Sequence, residues 1–168
     1  MSFSLNHLAD GQVDWFSRVD GNWTTLENRL TESSCALYKS ASQAISATTD
    51  TAISFDSENY DNGSIHSTST NNSRITVSAA GRYVFWASVV TDLTTQDLKQ
   101  WFRINGATVD GYGHCVLPQF SRIDFGLTAV LNLSANDYVE LVVNSANACN
   151  VVGGNVAGST FFGAMRLA

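Results

Sequence analysis

The sequence predicts an all-β domain, an antiparallel sandwich, over most of its length. Eight or more short apolar segments follow one another, and Gly, Asn and Asp separate them at short intervals. After residue 33 no convincing helical period interrupts them. Short strands separated by turn residues, without helices between them, are typical of sandwiches and barrels.

The central segment, residues 82–90, is apolar on both of its faces. Successive side chains of a strand point to opposite sides of the sheet. One face would carry Tyr83, Phe85, Ala87 and Val89, and the other would carry Val84, Trp86, Ser88 and Val90. Because one face of an antiparallel sheet usually meets water, this strand requires a cover on its second face. We expect that cover to be another sheet or another subunit.

Turn residues delimit the remaining strands. Further strands are predicted at residues 37–38, 53–55, 75–77, 124–133, 138–143 and 159–168. Asn62-Gly63 predicts a turn at residues 60–64. Asn105-Gly106 predicts a tight hairpin, since a two-residue connection needs positive φ angles. In residues 124–133, one face would carry Phe125, Leu127, Ala129, Leu131 and Leu133.

Composition and charge exclude some classes of partner. Charged residues make up 14% of the 168 residues, against about 25% in an ordinary soluble domain. The net charge is −6 and the few cations are scattered, so neither nucleic acid nor an anionic membrane is expected as a partner. The first ten residues lack a basic stretch and a long apolar run, which predicts synthesis in a cytoplasm without a membrane span.

Residues 1–33 are predicted to form an anchoring arm with a short helix. Trp23, Leu26 and Leu30 recur at i, i+3 and i+7, and Thr24-x-x-Glu27 fits a capping box. A helix of two or three turns is too short to be stable alone in water. It would dock on its own domain, on neighbouring chains of an oligomer, or in a groove of a different protein. The candidate anchor residues are Trp15, Phe16, Val19, Trp23, Leu26 and Leu30.

No residue pattern nominates a catalytic or cofactor site. His7, His66 and His114 are far apart in the sequence and fit no metal-binding or catalytic spacing. Residues 153–158 resemble a phosphate loop only in glycine content, since no Lys-Ser or Lys-Thr follows. We therefore expect a protein that is not an enzyme and holds no cofactor.

The three cysteines are expected to be buried thiols. Cys35, Cys115 and Cys149 form no close pair and no zinc-binding spacing. An odd number of cysteines cannot all pair within one chain.

Four motifs follow in order along the strand region. They are Gly81-x-Tyr83-x-Phe85, the Asn105-Gly106 hairpin, Leu131-x-Leu133 leading through Asn136-Asp137 into Tyr138-Val-Glu-Leu, and the terminal Ser159-Thr-Phe-Phe-Gly-Ala. Together they resemble the C1q/TNF-like globular domain, over residues 34–168. This resemblance implies a ten-strand jelly roll that assembles as a homotrimer, which would supply the missing cover. The core or trimer-interface candidates are Tyr83, Phe85, Trp86, Phe125, Leu127, Phe161 and Phe162.

The resemblance also bears on metals. Some members of this family bind calcium, which makes a site at Asp92, Asp97 and Asp110 an alternative. The spacing of these residues matches no calcium motif, so no metal is predicted. No collagen-like shaft precedes the domain, unlike in secreted vertebrate members.

A small jelly-roll trimer with few lysines and a short aromatic arm resembles virion proteins of tailed bacteriophages. The sequence thus favours a capsid decoration protein, made in the host cytoplasm and located in the virion, whose arm binds the major capsid protein or another virion protein. The alternative is a receptor-binding tip of a tail fibre or baseplate that recognises a host-surface glycan or protein. Decoration is favoured because the chain has no coiled-coil region or repetitive shaft.

Overall fold

The computed structural model describes residues 33–92, 98–108, 123–154 and 159–167, and for residues 123–125 only the backbone. Within these ranges the chain forms twelve strands and no helix, so the all-β prediction is confirmed there. The chain divides into two units, residues 1–31 and 32–168. The predicted arm and its helix lie outside the described residues and stay predictions.

Two antiparallel sheets contain all of these strands. The larger, seven-stranded sheet comprises β1 (Ser34–Tyr38), β2 (Gln43–Ile45), β4 (Ser57–Asp61), β6 (Gly81–Thr91), β9 (Ile123–Leu133), β11 (Cys149–Val151) and β12 (Phe161–Arg166). The smaller, five-stranded sheet comprises β3 (Thr51–Ala52), β5 (Arg74–Thr76), β7 (Leu98–Ile104), β8 (Ala107–Thr108) and β10 (Tyr138–Ser145).

Strand β6 is the centre of the larger sheet. It pairs with β9 along its whole length and, on its other side, with β12. Beyond β12 the sheet continues through β1 to β4. Strand β6 outruns β12, and at Thr91 it pairs with Val151 of β11, which in turn pairs with β2. The doubly apolar segment predicted from the sequence is therefore a central strand.

Strand β10 is the centre of the smaller sheet. It pairs with β7 on one side and with both β5 and β3 on the other. Strands β7 and β8 form the predicted hairpin, in which Asn105 and Gly106 have φ angles of 50° and 81°. Asn136, with a φ angle of 70°, lies in the turn between β9 and β10. Turn residues thus stand where the backbone enters the left-handed region.

The hydrophobic core lies between the two sheets and has an aromatic centre. Phe162 lies 5.5 Å from Phe55, 6.0 Å from Phe85 and 5.7 Å from Phe102, measured between ring centroids. Phe85 and Phe162 come from the larger sheet and Phe102 comes from the smaller one. All four rings are fully buried, so this cluster joins the sheets.

Two predictions about local structure are wrong. Residues 53–55 were expected to form a strand, but this segment crosses from β3 in the smaller sheet to β4 in the larger one. The N–H of Ile53 donates to Leu141 O at 2.9 Å, whereas that of Phe55 donates to Asn72 O at 2.7 Å. These two residues bond different partners and form no ladder, although both side chains are buried.

The predicted turn at residues 60–64 begins later than expected, because Tyr60 and Asp61 still belong to β4. The twelve strands also exceed the ten that the family resemblance implies. Several of them are pairs or triplets of residues, such as β3 and β8.

Candidate functional site

One face of the larger sheet points away from the core, and its composition sets it apart. Along β6, the side chains of Tyr83, Phe85, Ala87 and Val89 face the core and are buried. The alternate residues, Val84, Trp86, Ser88 and Val90, therefore point to the opposite side. We call that side of the larger sheet the outer face.

Three rows of paired residues form the centre of the outer face, since directly paired residues lie on the same side of a sheet. The row beside Val84 and Val130, formed by Arg82 and Asn132, carries an exposed arginine. The first row is Val130, Val84, Met165 and Ser34. The second row is Thr128, Trp86, Gly163, Ala36 and Tyr60. The third row is Gly126, Ser88, Phe161, Tyr38 and Ser57. No residue in these rows carries a charged side chain.

The outer face carries the large apolar side chains that the described part of the chain exposes. They are Tyr60, Val130, Phe161, Met165 and Leu167, each between 42% and 49% exposed. The first four belong to the three rows, and Leu167 follows β12 at the alternate position after Met165. A contiguous apolar surface whose three central rows carry no charge marks an interaction site.

Trp86 and Gly163 form the centre of this face. They are cross-strand partners, and the six-membered ring of the indole packs against the Gly163 backbone. Trp86 is therefore half-buried within its own chain and presents the remaining ring surface outward. A side chain at position 163 would occupy the space that this ring fills.

The structure separates the interface and core candidates that the sequence nominated. Tyr83, Phe85 and Phe162 lie in the core between the sheets, and Leu127 is partly buried against that core. Trp86 and Phe161 lie on the outer face. Phe125 pairs with Val89 through the backbone, and its side chain lies outside the described residues. The anchor candidates Trp15, Phe16, Val19, Trp23, Leu26 and Leu30 also lie outside them, so their roles stay predictions.

Sequence reasoning missed several residues of the outer face. Val130, Met165 and Tyr60 were not nominated, although Val130 lies between two buried residues of its strand. The alternation was visible for Val130 between Ala129 and Leu131. Which of the two faces stays uncovered is decided only by the packing of the smaller sheet.

The corresponding side of the smaller sheet is charged and internally paired. Glu140, almost fully buried, accepts hydrogen bonds from Arg103 at 2.8 Å, Ser73 at 2.9 Å and Arg74 at 3.3 Å. The guanidinium of Arg74 also lies 4.0 Å from the ring centre of Tyr138. Burial raises the pKa of Glu140, but the hydrogen bonds from Arg103, Ser73 and Arg74 outweigh it and leave the pKa below its ordinary value. The carboxylate of Glu140 is thus satisfied within the chain.

Of the three residues of the alternative calcium site, the structure describes Asp92. The carboxylate of Asp92 accepts hydrogen bonds from the backbone and side-chain nitrogens of Asn150, both at 2.7 Å. Asp97 and Asp110 lie outside the described ranges. Within those ranges no group of three or more metal-binding side chains occurs.

The titratable groups named from the sequence are placed as follows. Cys35 is a buried free thiol, as expected, whereas the free thiol of Cys149 is only half-buried. His66 is described, whereas His7, His114 and Cys115 are not. Nowhere in the described ranges does a helix long and apolar enough to cross a membrane occur.

Comparisons with known proteins identify the fold. No family model matches the chain, and no curated protein matches it either. Among solved structures, one of murine APRIL, a TNF-family protein, superposes with a TM-score of 0.63 at 17% identity over 81% of this chain and 99% of that one. The globular domain of zebrafish complement 1qA superposes with a TM-score of 0.56 at 11% identity over 81% of this chain and 98% of that one.

At these identities the likeness concerns the fold, and it agrees with the two antiparallel sheets and their crossing connections. The predicted jelly roll is therefore confirmed, and the chain has the fold of C1q/TNF-like globular domains.

Proposed function

We propose that this chain is a non-enzymatic structural protein of a bacteriophage virion that assembles as a homotrimer through its outer face. In this proposal the trimer is a capsid decoration protein, held on the shell by the arm of each chain. The observation that carries the assembly step is the uncharged apolar surface formed by Val130, Met165, Phe161 and Tyr60 around Trp86.

Hydrophobic burial favours a partner on this surface. Fully burying a large apolar side chain is worth about 1.5 to 3 kcal/mol, so the exposed half of each such residue contributes about 1 kcal/mol when covered. The three rows contain no charged side chain, so forming an interface there would not remove water from a charge. A second copy of the same face offers matching chemistry, and the C1q/TNF-like resemblance supports a three-fold arrangement.

The described chemistry supports a protein that is not an enzyme. Both ring nitrogens of His66 face other groups, Glu58 and the carbonyl of Asn72, and neither faces a nucleophile. The buried carboxylate of Glu140 is neutralised by two arginines. Neither group is placed for proton transfer to a substrate.

The attachment step depends on residues 1–33. Three arms held by one trimer raise the effective concentration of each remaining arm after the first has bound. Modest affinity of a single arm for the major capsid protein, or for another virion protein, would then give lasting attachment. The aromatic residues Trp15 and Trp23 are the side chains we expect to contribute most.

Assembly is tested by Val130→Lys in the full chain, measured by analytical ultracentrifugation. Val130 is about half exposed, so a lysine there leaves the fold intact but places a charge in the proposed interface. We expect the variant to sediment as a single chain where the unmodified protein sediments as a trimer. Thr76→Lys is the matched control, an exposed β-branched residue of the smaller sheet, and should stay trimeric. A monomeric unmodified protein contradicts the proposal.

Attachment is tested by deletion of residues 1–33 and by Trp15→Ala combined with Trp23→Ala. The deleted chain should stay a soluble trimer and no longer join purified particles, and the double variant should show reduced occupancy. Unchanged occupancy of the deleted chain would refute the role of the arm. Saturable binding of residues 34–168 to host cells or glycans would instead support the receptor-binding alternative. For that alternative, residues 111–119, which the sequence predicts to be a loop, are the segment to vary.

A further inference from the structure

Met165 is the most exposed sulfur-containing side chain in the described part of the chain. The structure describes three such residues, Cys35, Cys149 and Met165. The thiol of Cys35 is buried and that of Cys149 is half-buried, whereas Met165 is 42% exposed. Met165 belongs to β12 and lies in the first row of the outer face. Its thioether is therefore open to solvent in the single chain.

The surroundings of Met165 on this face are apolar. Val84 is its direct partner on β6, and Val130 follows Val84 in the same row. Trp86 lies diagonally across from Met165, two residues further along β6, within reach of a long side chain. Gly163, the previous residue of β12 on this side, has no side chain, and the indole packs over it. Met165 thus stands at the centre of the surface proposed to bind a second copy.

The described thiols react poorly with oxidants, whereas the thioether needs no activation. Peroxides react with the thiolate form of cysteine. Burial raises the pKa of Cys35 and also that of Cys149, so both remain thiols at neutral pH. A thioether has no proton to lose, and it is oxidised in the form in which it stands. Among the described sulfur atoms, Met165 is the one that a peroxide modifies first.

We propose that Met165 is an oxidation site that controls assembly: a peroxide converts its thioether to a sulfoxide in the free chain, and the modified outer face then fails to associate. This inference rests on the proposed function, because it concerns the same surface. Assembly covers the sulfur in turn, so the assembled chains are protected from the modification.

The chemical step is a transfer of one oxygen atom. A lone pair of the thioether sulfur attacks one oxygen of hydrogen peroxide, so that an S–O bond forms while the O–O bond breaks. The attacked oxygen passes its proton to the departing hydroxide, which leaves as water. Sulfur is oxidised and the peroxide is reduced. Methionine sulfoxide reductases reverse the modification.

The sulfoxide changes the character of the surface that must be buried. Its oxygen is a polar acceptor in place of an apolar side chain. Covering it with Val- and Trp-type surface of another copy would remove its water without supplying a donor, which costs free energy. We expect the protein concentration at which half of the chains are assembled to rise about tenfold.

The test treats the full chain with hydrogen peroxide until mass spectrometry of its peptides shows a sulfoxide at Met165, and then measures assembly by sedimentation over a range of concentrations. Assembly should weaken as stated, and treatment with the two methionine sulfoxide reductases should restore it. The rate of Met165 oxidation should also fall as the protein concentration rises through assembly.

Two variants separate Met165 from the rest of the chain. Met165→Leu keeps an apolar side chain of similar volume and retains Met1, the other methionine, so it should assemble before and after peroxide. Met165→Gln places a polar side chain at this exposed position and should weaken assembly without any oxidant. Chemical denaturation of both variants checks that the fold is kept.

The inference is overturned if Cys35 or Cys149 is oxidised before Met165, if Met165 stays unmodified, or if the sulfoxide leaves assembly unchanged. An equal loss of assembly in peroxide-treated Met165→Leu would also overturn it, because another residue would then be responsible. A trimer that tolerates the sulfoxide contradicts this inference alone. An unmodified protein that sediments as a single chain at every concentration contradicts the proposed function itself.

Discussion

Trp86 and Gly163 are cross-strand partners in contact: a β-carbon at Gly163 would lie 2.5 Å from Cε2 and Cζ2 of the Trp86 indole. It would also lie 2.8 Å from the carbonyl oxygen of Cys35 in the next strand. The glycine therefore allows a large ring to lie against the sheet at the centre of the outer face. Under the proposed function, this packed ring is part of the surface that a partner would contact.

Gly163→Ala should destabilise the fold by about 1 to 3 kcal/mol, because neither the ring nor the Cys35 carbonyl can yield without displacing its neighbours. Chemical denaturation at a fixed protein concentration measures this change. Gly126→Ala is the matched control on the same face, since its β-carbon would meet nothing closer than Ala87 O at 3.7 Å. Equal effects of the two substitutions would show that the packing of the indole is not the cause.

The adjacent residues Phe161 and Phe162 should respond in opposite ways. Phe162→Ala removes a ring from the aromatic centre of the core and should cost about 3 to 5 kcal/mol of unfolding free energy. Phe161 is 42% exposed on the outer face, so Phe161→Ala should change the stability of the single chain by less than about 0.5 kcal/mol.

For the folded protein, we expect Phe161→Ala to weaken self-association more than Phe162→Ala does. Phe161→Ala should weaken the trimer on dilution, as measured by sedimentation, because it removes apolar surface from the proposed interface. If Phe161→Ala leaves the trimer unchanged, Phe161 is not part of the interface. If it strongly lowers the folding stability, its ring lies in the core.

The lowered pKa of Glu140 predicts how the stability of the fold changes with pH. Its pKa lies below the ordinary value of 4.5, so its charged form stabilises the fold above that value and the stabilisation is lost as the pH falls below it. Glu140→Gln should cost about 1 to 3 kcal/mol at neutral pH, since two arginines lose their carboxylate partner.

The difference between Glu140→Gln and the unmodified chain should shrink below about pH 4.5, measured as unfolding free energy against pH. Arg103→Met provides the matched background, because it removes the guanidinium that donates at 2.8 Å. In the Arg103→Met background, the change in unfolding free energy caused by Glu140→Gln should depend less on pH. A difference that stays constant down to strongly acidic pH would contradict the role of the arginines.

Cys35 should resist thiol reagents as long as the chain is folded. Burial, with a smaller effect from the nearby carboxylate of Asp61, raises the pKa of Cys35 to about 12. At about pH 8 roughly one thiol in ten thousand is then ionised, and the thiolate is the reactive form. Cys149 is half-buried and serves as an internal comparison. Alkylation followed by peptide mass spectrometry should modify Cys149 first, and Cys35 only after unfolding; equal native rates would contradict this.

Local patterns predicted much of the fold. The alternation around Tyr83 and Phe85 separated the two faces of β6, and Asn105-Gly106 identified the β7–β8 hairpin, because both depend on the geometry of a few adjacent residues. The strand predicted at residues 53–55 was wrong, because Ile53 and Phe55 were judged by side-chain type alone. Their backbone partners, Leu141 and Asn72, are distant in the sequence and belong to different parts of the fold.

The outer face shows what the sequence by itself determined and what it did not. Periodicity required that β6 bury one face and leave Val84 and Trp86 on the other, because adjacent side chains of a strand cannot share a side. Which strands flank β6, and hence that Val130 and Met165 lie on either side of Val84, depended on pairings between segments far apart in the chain. Only tertiary structure decides such pairings, since they arise from the competition of all strands for one core. The burial of His66 between Glu58 and Asn72 was decided in the same way, and no local pattern in the sequence signals it.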